Sequence, residues 1–172
     1  MSKMNYNRVF AVNDLLSVVP LSQEGRTLPQ KTTVNLLLLK GAYSRRVAEF
    51  ESQMQGALRE LKADSRFQVF DALAAEVSKA KRAGKELPTE RLEEYRQMSQ
   101  ELTELYRATR IEAAREEIDS PGSMTAEDYA AVVELIGVEG EIELPRHGED
   151  TEKLRKVSRV DLLENIAALV VE

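Results

Sequence analysis

Two apolar seams at helical spacing run through the middle of this chain and restrict what it can fold into. The first reads Leu36, Leu39, Tyr43, Val47, Phe50, Met54, Ala57, Leu61, and the second Leu92, Tyr95, Ser99, Leu102, Tyr106, Thr109, Ala113. Steps of three and four put each set on one face of a helix, which turns once every ~3.6 residues. Such faces need other helices to cover them, so the pattern speaks for packing and assembly before it speaks for chemistry. Only 5% of the 172 residues are aromatic and none is Trp. The core must therefore rest on Leu, Val, Ala, Ile and a few Phe and Tyr, a modest supply that leaves a seam for another chain to complete.

Arg8 to Val12 (RVFAV) is short, β-branched and aromatic and lies between Asn residues, which predicts a strand. Asn13 then caps a helical turn through Leu15, Leu16 and Val19 that is interrupted near Pro20. Gln23 to Gln30, with Gly25 and Pro29, reads as a loop. The first long helix is expected from Thr32 or Thr33 to about Lys62. Gly41 and Gly56 inside it each cost ~1 kcal/mol relative to Ala, which close packing of another backbone would explain. Ser65 with Gln68 has the capping-box pattern for a second helix carrying Phe67, Phe70, Leu73, Ala74 and Val77. The alternative is one unbroken helix through Asp64. Gly84 ends this segment, and Pro88 with Thr89 as cap opens a third helix from Glu90 to about Glu117.

Ser120-Pro121-Gly122-Ser123 is the clearest break. After it, Thr125 with Asp128 caps a helix through Tyr129, Val132, Val133, Leu135 and Ile136, stopped at Gly137. Glu141 to Leu144 alternates charged and apolar, as a half-exposed strand does, and pairing it with Arg8 to Val12 gives a two-stranded ribbon. Two strands are marginal alone and need helices on one face. Arg146 to Lys156 is a polar, loop-like stretch, and Ser158 with Asp161 caps a final helix, Arg159 to Val170.

The net charge of −6 is unevenly spread: Glu112 to Glu152 carries −11 and the remainder +5. An acidic stretch is first a solvated surface and second a face for a basic partner. The residues for catalysis are missing. There is no Cys, and the single His147 sits in a strongly polar loop where exposure is the default, so neither a nucleophile–base pair nor a zinc site can be assembled. Glu112 and Glu116 lie one turn apart without the Glu-x-x-His motifs of a di-metal bundle. Gly137 and Gly140 bracket Val-Glu, and neighbouring acids would repel a phosphate. Lys79, Lys81, Arg82 and Lys85 complement the dipole at a helix end, and Lys153, Arg155, Lys156 and Arg159 lack aromatic platforms, so nucleic acid is not the expected partner. No catalytic, cofactor-binding or metal residue is assigned, and no cofactor is implied. The start has no apolar signal region and no apolar run approaches the ~20 residues of a membrane span, so a soluble protein made inside a cell is expected.

Two regions resemble a family of small helical proteins encoded by tailed bacteriophages and prophages. In the first, Leu28, Pro29 and Lys31 enter a helix that carries Leu36, Leu39, Phe50 and Glu51. In the second, Tyr129 and Leu135 precede the strand Glu141 to Leu144, and Ser158, Asp161, Leu162 and Leu169 follow on a last helix. Ser65 to about Thr109 departs from the family's short members as an inserted helical hairpin. The resemblance lends no chemistry; it implies a phage context and a non-enzymatic role.

The resulting expectation is a mainly α single domain, 1–172: an N-terminal strand and loop (1–31), a helical bundle (32–117) and a compact helix-strand-helix end (118–172). Its centre would be a long antiparallel helical hairpin or three-helix bundle, with a small two-stranded antiparallel β ribbon near the termini. The expected function is a structural or assembly protein contacting protein subunits, its own or other phage proteins, in the host cytoplasm or the virion, with no membrane partner and with homo-oligomers allowed. The rival is a small regulatory or anti-defence protein that captures a host protein or a nucleotide.

Overall fold

Asn5 decides how the chain begins. Its side chain accepts a hydrogen bond from the Arg8 N–H at 3.0 Å and caps a helix, α1 (Tyr6–Val18), that runs through the whole RVFAV segment. The expected strand there is thus corrected to helix. Val9, Val12 and Leu16 recur at helical spacing and are completely or almost completely buried, and burial of that stripe outweighs the strand preference of β-branched residues. Asn13 is an interior residue of α1, not its cap. The structure, a computed structural model, describes residues 3–144 and 156–171. It is mainly α, with small two-stranded antiparallel ribbons.

The ribbons differ from the expected one. β1 (Lys3–Asn5) pairs with β4 (Glu117–Asp119), with Met4 opposite Ile118. β2 (Ser22–Gln23) and β3 (Arg26–Thr27) form a hairpin in the stretch expected to be loop. Its turn residues Glu24 and Gly25 both have positive φ, 51° and 79°, the type I′ pattern whose twist suits a two-residue hairpin. Glu141 to Leu144 does supply a strand, β5 (Glu141–Glu143), but its partner is β6 (Lys156–Ser158), not Arg8 to Val12.

The longest helix, α2 (Gln30–Ala63), begins two residues before Thr32. Contacts divide the chain inside it into two compact units, Met1–Glu49 with Glu116–Glu172, and Phe50–Arg115. The first apolar seam is therefore shared: Leu36, Leu39 and Tyr43 are buried in the first unit, Phe50 and Met54 in the second.

In the first unit, α5 (Ala126–Ile136) and α6 (Arg159–Ala167) carry the caps expected for them, Thr125 accepting from the Asp128 N–H and Ser158 from the Asp161 N–H. Val132, Ile136, Leu162 and Ile166 are buried there with α1. The last helix stops three residues short of Val170, which instead lies beside Met124 in a parallel bridge. Backbone bonds Met124 N–H to Leu169 O and Val171 N–H to Met124 O hold it.

The second unit is an antiparallel helical hairpin with one broken limb. Asp64 accepts from the Arg66 N–H and turns the chain through a 3-10 segment, Ser65–Phe67, before α3 (Phe70–Arg82) resumes. The return limb is one helix, α4 (Thr89–Ala114), which ends before Glu117, and neither Thr89 nor Ser65 caps a helix. Pairings fix its direction: Glu51 with Arg110, Arg66 with Glu101, Phe70 stacked on Tyr95, and Glu76 with Arg91. As numbers rise on one limb they fall on the other. Gly41 and Gly56 have no atom within 4 Å of where a Cβ would stand, so the expected close backbone packing is absent at both. Gly122 is the tight glycine.

Candidate binding surfaces

On the N-terminal part of α2, Val34 and Leu37 are each 49% exposed and Leu38 is 68% exposed. Spacings of three and four place them on one ridge, while Leu36 and Leu39 turn inward. Beside the ridge runs an open cleft of about 420 Å³, lined by Asn35, Leu38, Ala42, Pro121, Gly122 and Asp128. A Cβ on Gly122 would come within 2.9 Å of the Leu39 Cδ1, so the missing side chain lets the loop lie against α2. The Tyr43 hydroxyl, 3.4 Å from both the Ser120 hydroxyl and the Gly122 carbonyl, ties the same loop down. Burial pushes the Tyr43 phenol pKa above its ordinary value, against a smaller opposing effect of Ser120 and Arg8.

Asp128 closes one end of the cleft and is 3% exposed. Its Oδ2 accepts from the Asn35 amide at 2.9 Å and from the Thr125 hydroxyl at 2.8 Å. Burial pushes the carboxyl pKa up, but the Asn35, Thr32 and Thr125 donors and the Lys31 charge outweigh it, leaving the pKa below the ordinary value. The group is an ionised acceptor already engaged by its neighbours. At the other side of α2, Lys40 Nζ donates to the Val19 carbonyl at the end of α1, 2.7 Å away, and burial lowers its pKa.

Two more surfaces stand out. At the α3–α4 end of the hairpin a notch of about 400 Å³ is lined by Val77, Ala80, Lys81, Lys85, Leu87 and Leu92, with Glu86 at its rim. Between α5 and β5, the Gly137-Val138-Glu139-Gly140 turn presents Val138 59% exposed. Arg159 anchors that turn, its guanidinium donating to the Ile136 carbonyl at 2.6 Å and its N–H to the Gly140 carbonyl at 3.0 Å. The cation thus sits at the C-terminal end of α5, where the helix dipole favours it.

What these surfaces offer is apolar cover and charge. Among the described residues no group of three or more His, Cys, Asp or Glu is placed to hold a metal ion, and no helix is long and apolar enough to cross a membrane. His147, Lys153 and Arg155 lie outside the described residues. Of the second basic cluster, Arg159 is engaged as above and Lys156 lies 3.6 Å from Glu141. Sequence reasoning found the Thr125–Asp128 cap but not Asn35, whose partner is 93 residues away; no local pattern joins them. The exposure of Leu38 was equally hidden, since a run of four leucines does not say which members face inward. The chain matches no protein-family model, no curated protein and no solved structure.

Proposed function

We propose that this chain is a non-enzymatic, phage-encoded structural or assembly protein that binds protein subunits through helix faces. The observation that carries the reading is the Val34-Leu37-Leu38 ridge on α2. Single exposed aliphatics are ordinary, but three on one helix face form a patch that water disfavours and a partner helix would cover. Burying such side chains contributes roughly 25 cal/mol per Å² of apolar area. In the adjoining cleft the buried Asp128 carboxylate is already bonded to Asn35 and to the Thr125 hydroxyl. The resemblance at both ends of the chain supplies the phage setting, and with it the host cytoplasm or the virion as the place of action.

The test is affinity purification of the tagged chain from phage-infected cells, with identification of what accompanies it. Phage structural subunits should accompany the wild type and be lost from a Leu37→Asp/Leu38→Asp variant that keeps its helical circular dichroism. A host protein alone, or no partner at all, would overturn the assembly reading; the first of these outcomes would favour the regulatory or anti-defence rival.

A further inference from the structure

The notch of the hairpin and the Val138 turn are complementary in chemistry. Among the described residues, Val77, Leu87 and Leu92 are only half covered at the α3–α4 end. Around them stand Lys79, Lys81, Arg82 and Lys85, all exposed and none in an ion pair among the described residues. Glu86 and Glu90 are the acids of that end. The turn is the opposite: one exposed aliphatic, Val138, among the exposed acids Glu134, Glu139, Glu141 and Glu143. Of these acids only Glu141 has a cation partner among the described residues, Lys156 at 3.6 Å. The turn is also pre-organised, since Arg159 holds both sides of it, and a rigid projection loses little freedom on docking.

We propose that the Val138 turn of one copy of this chain seats in the α3–α4 notch of a second copy, Val138 entering between Val77, Leu87 and Leu92 while Glu134 and Glu139 meet Lys81 and Lys85. The inference rests on the assembly reading and makes the bound subunit another copy of the same chain. An apolar-floored notch with two acids at its edge and no stacking aromatic suits an acidic turn better than a phosphate backbone. Because notch and turn are different surfaces, each copy offers one of each: reciprocal docking closes a two-fold dimer, and one-way docking gives a ring or a filament.

Sedimentation velocity of the full chain over a concentration series tests this. At low salt, ~0.05 M, the wild type should form dimers or larger assemblies, which dissociate at ~0.5 M as the screening length falls to a few Å. Val138→Asp and Lys81→Glu/Lys85→Glu should each weaken association by about tenfold or more. A Glu134→Lys/Glu139→Lys variant should behave likewise alone, yet associate when mixed with Lys81→Glu/Lys85→Glu, because the exchanged charges again match. Wild-type association that none of these variants changes would overturn the inference and leave the assembly reading standing on another face. A folded wild type that stays monomeric at every concentration would also overturn it, while the purification from infected cells separately decides the assembly reading. Retention of an oligonucleotide that Lys81→Glu/Lys85→Glu abolishes and Val138→Asp does not, with no self-association, would assign the notch to nucleic acid instead.

Discussion

Asp128 shows how one residue can serve two levels of structure. Its backbone N–H donates to Thr125 at 3.1 Å as part of the α5 cap, and its carboxylate takes the Asn35 amide of α2. Replacing it by Ala leaves the half-buried Asn35 donor without its acceptor, a loss of about 1 kcal/mol measurable by urea unfolding. The pH dependence follows from the lowered folded-state pKa. The unfolded carboxyl titrates near 3.9, so the stabilisation is full above that pH and disappears as pH falls through the lower folded value. The stability gap between wild type and Asp128→Ala should therefore narrow on acidification below about pH 4, and a gap that stays constant down to about pH 2 would contradict this account. Gly122 is the other residue with a single clear reason. Gly122→Ala pushes a methyl group against Leu39, itself 5% exposed, and should cost about 1 kcal/mol in the same measurement.

At the scale of elements, the caps of the last two helices were legible, whereas those expected at Asn13, Ser65 and Thr89 and the strand partners were not. Thr125 and Ser158 start α5 and α6 where their hydroxyls and the following Asp residues indicated, because a cap is settled within four residues. Ser158→Ala should lower the thermal midpoint by the loss of about 1 kcal/mol. RVFAV misled because its composition favours a strand locally, whereas Val9, Val12 and Leu16 are selected by what lies across the core. The helix break at Asp64 was undecided in the sequence, and the Asp64–Arg66 bond with the 3-10 turn resolves it. Gly41 and Gly56, open on all sides, gain nothing from lacking a side chain within this chain. Gly41→Ala and Gly56→Ala should each stabilise it by roughly 0.5–1 kcal/mol. A stability loss at either site would show that the glycine is needed for contacts this structure does not contain.

For the whole molecule, the division at Glu49/Phe50 and Arg115/Glu116 separates two differently built units. The unit of α1, α5 and α6 buries aliphatics from several elements; in the hairpin each limb covers only one side of the other, and Leu73 of α3 and Leu102 and Ala114 of α4 are the buried residues of those helices. Sparse burial makes local opening easier. Amide hydrogen exchange of the full chain should accordingly be faster in α3 and α4 than in α1, α5 and α6, and equal protection throughout would contradict this division. The amino-acid order alone determined a mainly helical protein, the antiparallel return of α4, the caps of the last two helices and the absence of Cys chemistry, since each follows from periodicity, short-range hydrogen bonding or residue type. Only the tertiary structure decided which strands pair, that α2 serves two units, that Asn35 meets Asp128, and that Leu38 and Val138 are left uncovered. Those outcomes depend on contacts between residues far apart in the chain, and a repeating local pattern carries no record of which distant partner will complete it.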